Sequence, residues 1–176
     1  MFYQDICPDD PKLRDYGVAS LFPGYTFEPQ SNDEWQAIGA WAWGYSRILD
    51  YILKQPWVDK NKIAVMGHSR LGKTSLWAGA QDTRLKVVIS NNSGCGGAAL
   101  SKRVIGENLE RINGVFPHWF CPTFKKYSNN EAALPFDQHE LLALIAPRHL
   151  YVCSAEEDKW ADPRGEYLST YHAGEV

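Results

Sequence analysis

The feature that most narrows what this chain can fold into is a short apolar run that ends in a tight, glycine-bounded turn. Lys62-Ile63-Ala64-Val65-Met66-Gly67 reads as a strand buried on both faces. Arg70 to Ala80, rich in Ala and Leu and ending near Gly79, reads as a helix. Between them stands Gly67-His68-Ser69-Arg70-Leu71-Gly72-Lys73. A strand, a sharp turn and a helix with Ser at the bend is the layout that lifts a serine hydroxyl to the carboxyl end of a sheet. Small neighbours are needed there, because the strained turn leaves no room beside the serine. The backbone N–H of Arg70 then points at a developing oxyanion, helped by the positive end of the helix. The second glycine, Gly72, falls one residue later than in G-x-S-x-G, so a plain strand–turn–helix with a capping Ser also fits the local pattern.

The same alternation continues along the chain. Residues 1–32, rich in Pro, Gly and Asp, read as loop. A helix is expected from Asp33 to Leu53, capped by Ser31, Asn32 or Asp33, with Trp35, Ile38, Ala42, Tyr45, Ile48, Leu49 and Ile52 at helical spacing. Leu85 to Ser90 reads as a second strand, Gly94 to Ala99 as a bend and Leu100 to Asn113 as a helix. Phe136 to Ile145 reads as a short helix stopped by Pro147, and His149 to Ser154 as a third strand. Asp162-Pro163 opens a last helix, with Pro where the first turn tolerates it. Strands alternating with helices imply a parallel sheet with crossover helices, an α/β fold of the α/β-hydrolase type. Three strands are few for such a sheet and leave apolar edges uncovered. Residues 1–176 are therefore expected to be a partial domain, incomplete at both ends.

Composition excludes several functions. With 44% hydrophobic and 22% charged residues the chain is ordinary for a globular domain. Its net charge is −3 and its Lys and Arg are scattered, so no nucleic-acid partner is expected. No apolar run is long enough to span a membrane, and Met1 to Pro8 do not read as a signal peptide. None of Cys7, Cys95, Cys121 and Cys153 forms a C-x-x-C pair or has a His at metal-ligand spacing, so neither metal nor cofactor is expected. Cys153 reads as core. Seven Trp, nine Tyr and seven Phe are mostly packing, Trp41 and Trp43 included, but such a supply also suits stacking on a sugar ring.

An activated serine needs a base and an acid to orient it, in the chain order Ser, acid, His. The third strand runs into Ala155-Glu156-Glu157-Asp158-Lys159-Trp160, so its acids emerge at the same sheet edge as Ser69. Histidine is the gap. His68 adjoins the serine and is expected to point elsewhere on the turn, His118 and His139 precede the acid, His149 starts a strand, and His172 reads as a surface residue. The base is expected beyond Val176.

Gly67-His68-Ser69-Arg70-Leu71-Gly72-Lys73 resembles the G-x-S-R-x-G-K segment of the glucuronoyl esterases, carbohydrate esterase family fifteen, where the displaced glycine is the family's own pattern. The resemblance extends to Ser93-Gly94-Cys95-Gly96-Gly97-Ala98, Ile105-Gly106-Glu107-Asn108, Phe116-Pro117-His118-Trp119-Phe120 and Leu134-Pro135-Phe136-Asp137-Gln138-His139. It continues through Leu144-Ile145-Ala146-Pro147-Arg148 and Glu156-Glu157-Asp158-Lys159-Trp160-Ala161-Asp162-Pro163, and looks like the bacterial branch. The resemblance implies a metal-free serine esterase acting on 4-O-methyl-glucuronoyl esters between glucuronoxylan and lignin alcohols. It implies Ser69 as nucleophile, Arg70 as an oxyanion contact, Lys73 and Glu107 as holders of uronate hydroxyls, and Trp160 as a sugar contact. Some members carry the acid within the stretch matching Ser90-Asn91-Asn92-Ser93, where this chain has amides; others carry it after the third strand, which maps to Asp158. The family is usually exported, and the compartment stays open. Rival readings are an acetylxylan esterase or peptidase of similar fold, and an inactive remnant.

Overall fold

The computed structural model describes residues 3–13, 16–21 and 31–176. The expected loop at 1–32 holds a short helix α1 (Tyr3–Ile6) and a 3-10 turn at Gly17–Leu21, and the rest of that expectation lies partly outside the described residues. Then follow α2 (Ala37–Ile52), β1 (Ala64–His68), α3 (Arg70–Gln81), β2 (Val87–Asn91), α4 (Leu109–Val115), α5 (Pro122–Lys125), α6 (Gln138–Ala143), β3 (His149–Cys153) and α7 (Pro163–Ala173).

The three strands form one parallel sheet in the order β1-β2-β3. Their register is flush: Ala64 pairs with Val87 and His68 with Asn91, while Val87 pairs with His149 and Asn91 with Cys153. All three strands thus end at one rim, and the turns after them, carrying Ser69, Asn92 and Asp158, emerge side by side. In open parallel sheets this carboxyl rim is where ligands bind.

The core lies along α2, α3 and the sheet. Leu76, Val88, Leu142 and Ile145 are fully buried in one cluster, Trp41, Leu109 and Ile112 in another. Each buried aliphatic of this size contributes about 1.5–3 kcal/mol. Trp41, expected to pack, is buried and donates its indole N–H to the Cys7 carbonyl at 2.8 Å. At the opposite end of α3, Arg84 bridges Asp82 and Asp50 at 2.6 Å each, tying α2 to the turn before β2.

Several expectations are corrected. α2 starts at Ala37 rather than Asp33, and no side chain caps it. The carbonyls of His118 and Trp119 accept from Ala37 N at 3.0 Å and Ile38 N at 3.5 Å, so a distant loop supplies the cap. The helix expected over Leu100 to Asn113 is broken: a 3-10 turn at Ser101–Arg103 ends at Val104 in the left-handed region (φ 51°), and α4 starts only after Asn108, whose side chain accepts from Arg111 N. β1 is not buried on both faces: Val65 and Gly67 are buried, but Met66 is 63% exposed, as is Tyr151 of β3 at 62%. The outer strands therefore present uncovered apolar side chains. Cys153 is half-buried, not core, and none of the four cysteines forms a disulfide. Among the described residues no helix is long and apolar enough to cross a membrane.

Candidate active site

Ser69 sits at the turn between β1 and α3 with φ 55° and ψ −121°. A non-glycine residue in the left-handed half of the map costs about 1–3 kcal/mol and persists only where its surroundings impose it. Here the Ser69 N–H donates to the Asn91 carbonyl at 2.9 Å, while its own carbonyl accepts from Gly72 N and Lys73 N. The close approach explains both glycines. A Cβ on Gly67 would meet the Leu71 carbonyl oxygen at 1.9 Å, and one on Gly72 would meet Ser93 Cβ at 2.9 Å. Gly67→Ala is therefore expected to destabilise the fold by about 3 kcal/mol or more, read as a lowered Tm; an unchanged Tm would show that the turn has room to relax.

The six residues predicted for the site (Ser69, Arg70, Lys73, Glu107, Asp158 and Trp160) line one hollow of about 180 Å³, together with His68, Asn92, Ser93, Phe116 and Trp119. A larger hollow of about 540 Å³, lined by Trp35, Trp77, Phe124 and Phe136, meets it at Lys73 and Trp119. That larger space holds neither the serine nor Asp158, so the residues predicted to carry chemistry share only the smaller one.

Lys73, on the first turn of α3, is buried, which pulls its ammonium below the usual lysine range; the Glu107 carboxylate acts against this. Glu107 is pushed up by burial and held down by Lys73, 3.8 Å away. Lys73 also donates to the Ser93 carbonyl at 2.5 Å, and the Trp160 indole donates to Glu107. The break at 104–106 makes this possible. It turns the chain so that Glu107 N donates to the Trp160 carbonyl at 2.9 Å, bringing Glu107 into the hollow. Trp160 is 53% exposed and offers its ring to solvent at the rim.

Asp158 lies in the turn after β3. Its Oδ2 accepts from the Asn92 side-chain amide at 2.7 Å, and Asn92 Oδ1 accepts from Ala155 N at 3.1 Å. Asn92, with φ 45°, thus cross-links the turns after β2 and β3 and holds Asp158 towards the hollow. Beneath them Glu166 of α7, fully buried, accepts from Gly94 N at 2.8 Å and Ser93 Oγ at 3.1 Å and bonds Ser154 Oγ. Neither role was legible beforehand: Asn92 read as a missing acid and Glu166 as an unremarked helix position.

Arg70 extends over the rings of Phe116 and Trp119, 5.4 and 5.0 Å from their centroids, and pairs with the Asp9 carboxylate. Among the histidines, His68 lines the hollow, contrary to expectation, with Nδ1 accepting from Asn91 Nδ2 at 2.9 Å. His118 is buried against Asp9, and His172 is exposed and bonded to Glu175, as expected of a surface residue.

A parallel sheet with crossover helices and a strained serine at the first strand–helix turn defines an α/β-hydrolase core. The profile of fungal glucuronyl esterases matches residues 25–176. A carbohydrate esterase designated MZ0003, from an unknown prokaryotic organism, is 57% identical over 143 residues, covering 81% of this chain and 33% of the relative. The 4-O-methyl-glucuronoyl methylesterase of Hypocrea jecorina is 39% identical over 137 residues, covering 73% of this chain and 30% of that protein. The solved glucuronoyl esterase of Solibacter usitatus superposes with a TM-score of 0.91 at 50% identity, covering 98% of this chain and 44% of that one. The chain belongs to the glucuronoyl esterase family, and spans 30% to 44% of the length of these relatives.

Proposed function

We propose that this chain carries the nucleophile, the orienting acid and part of the uronate site of a serine esterase that cleaves 4-O-methyl-glucuronoyl esters between glucuronoxylan and lignin alcohols. The observation that carries the reading is the convergence of strained Ser69, Asp158 and the buried Lys73–Glu107 pair in one hollow at the carboxyl rim. The names of the relatives supply the substrate class. The domain is proposed to extend beyond these residues, which the uncovered apolar side chains of β1 and β3 and the partial coverage of the relatives named above favour.

In this reading Ser69 Oγ attacks the uronate carbonyl as a histidine from outside these 176 residues takes its proton, with Asp158 orienting that imidazole. The tetrahedral oxyanion is held by the Arg70 backbone N–H, at the start of α3, and by the Arg70 guanidinium. Collapse expels the alcohol, which takes the proton from the imidazolium and leaves a uronyl ester on Ser69. Water attacks that ester with the same histidine as base, releasing the uronate and restoring the serine.

Lys73 and Glu107 engage sugar hydroxyls in ground and transition state alike, so they act on binding. Glu107→Gln in the enzyme that carries this chain is expected to raise KM for benzyl glucuronate about ten-fold or more with kcat little changed. An unchanged KM would remove Glu107 from the site. Faster release of acetate from acetylated xylan than of alcohol from benzyl glucuronate would overturn the uronate reading itself.

A further inference from the structure

We infer that Asp9, far from Ser69 in sequence, is the positioning residue that locks the Arg70 guanidinium beside the nucleophile; this rests on the reading of Arg70 as an oxyanion contact. Asp9 lies just after α1, in a stretch without regular structure, yet its side chain is only 2% exposed. Four donors converge on its carboxylate. Oδ2 pairs with Arg70 Nη1 and accepts from the Tyr3 hydroxyl at 3.5 Å, while Oδ1 accepts from His118 Nε2 at 2.9 Å and Trp119 Nε1 at 2.7 Å. Burial alone would raise this carboxyl, but the hydrogen bonds from His118 and Trp119 and the charge of Arg70 outweigh it and hold the group at about 2. It is therefore ionised at neutral pH.

A buried carboxylate without a countercharge is costly, so the charge on Asp9 keeps Arg70 in place. Arg70 itself is 35% exposed and, unclamped, would spread over many rotamers. Trp119 acts on both partners: its indole N–H fixes Asp9, and its ring, stacked on Phe116 with centroids 3.8 Å apart, lies beside the guanidinium, 5.0 Å from it. The fork is thus held on one side by charge and flanked on another by the stacked Phe116–Trp119 pair. Next to a serine whose oxyanion must be met without reorganisation, a preset guanidinium is worth more than a mobile one.

The test is a double-mutant cycle of Asp9→Asn and Arg70→Ala in the enzyme that carries this chain, with kcat, KM and Tm measured on benzyl glucuronate. Asp9→Asn is expected to lower kcat ten-fold or more with KM within two-fold, and to cost less than three-fold once Arg70 is already Ala. An equal loss in both backgrounds would make Asp9 a structural residue and overturn the inference. So would an unchanged kcat in Asp9→Asn when Arg70→Ala is impaired. An unimpaired Arg70→Ala would instead remove the oxyanion role of Arg70, and the positioning role with it. A measurement that needs no variant is NMR of the Arg70 guanidinium. Separate, slowly exchanging Nη–H signals are expected for a clamped fork, and a single averaged signal would contradict the clamp.

Discussion

Ser69→Ala is expected to lower kcat for glucuronate esters by about 10⁴- to 10⁶-fold while leaving KM nearly unchanged, as loss of a lone nucleophile does in other serine hydrolases. The residual rate would come from the oxyanion contacts and the uronate site, which the substitution leaves intact. The strained backbone at Ser69 makes the expectation specific, because a helix-capping serine needs no such conformation. Its φ of 55° is not that of an N-cap residue, and no side-chain cap bond accompanies it. Ala at this position keeps the turn, so Tm is expected to stay within a few degrees. A fall in Tm with kcat preserved would mean that the serine caps α3 and does no chemistry.

Asp158→Asn is the second large effect, expected at about 10³- to 10⁴-fold in kcat with little change in KM. The amide fills the same volume but cannot stabilise an imidazolium, and it can present N–H where the imidazole needs an acceptor. In this chain it would also face the Asn92 amide, which now donates to Asp158 at 2.7 Å. The measurement is steady-state hydrolysis of benzyl glucuronate, with Glu156→Gln and Glu157→Gln as controls from the same turn. Equal losses in all three would mean that the turn is merely acidic, and a loss confined to Glu156 or Glu157 would move the orienting role to that residue.

How much was legible beforehand follows from how local each cause is. The three strands and α3 were readable because buried apolar runs and helical spacing are properties of neighbouring residues. The Ser69 turn was readable in part for the same reason, since Gly67 answers a steric demand made by Leu71, four residues on, whereas the demand on Gly72 comes from Ser93 in the turn after β2. Asp158 was reachable because parallel strands in flush register bring their following turns to one rim. What escaped was set from a distance. The start of α2 depends on carbonyls from the His118–Trp119 loop, and no residue near Asp33 signals that. The break at Val104 serves the contact between Glu107 N and the Trp160 carbonyl, more than fifty residues apart. Asp9 stands in a stretch that reads as loop, and only the fold reveals that Arg70, His118 and Trp119 meet on it. The second face of β1 misled because an apolar strand looks the same whether or not something covers it.

The most direct measurement is covalent capture of the nucleophile. The enzyme that carries this chain is treated with a fluorophosphonate, digested, and the modified residue is located by mass spectrometry. A single adduct on Ser69, prevented by prior incubation with glucuronate, is the predicted result. An unmodified Ser69, or an adduct on another serine that tracks loss of esterase activity, would contradict it.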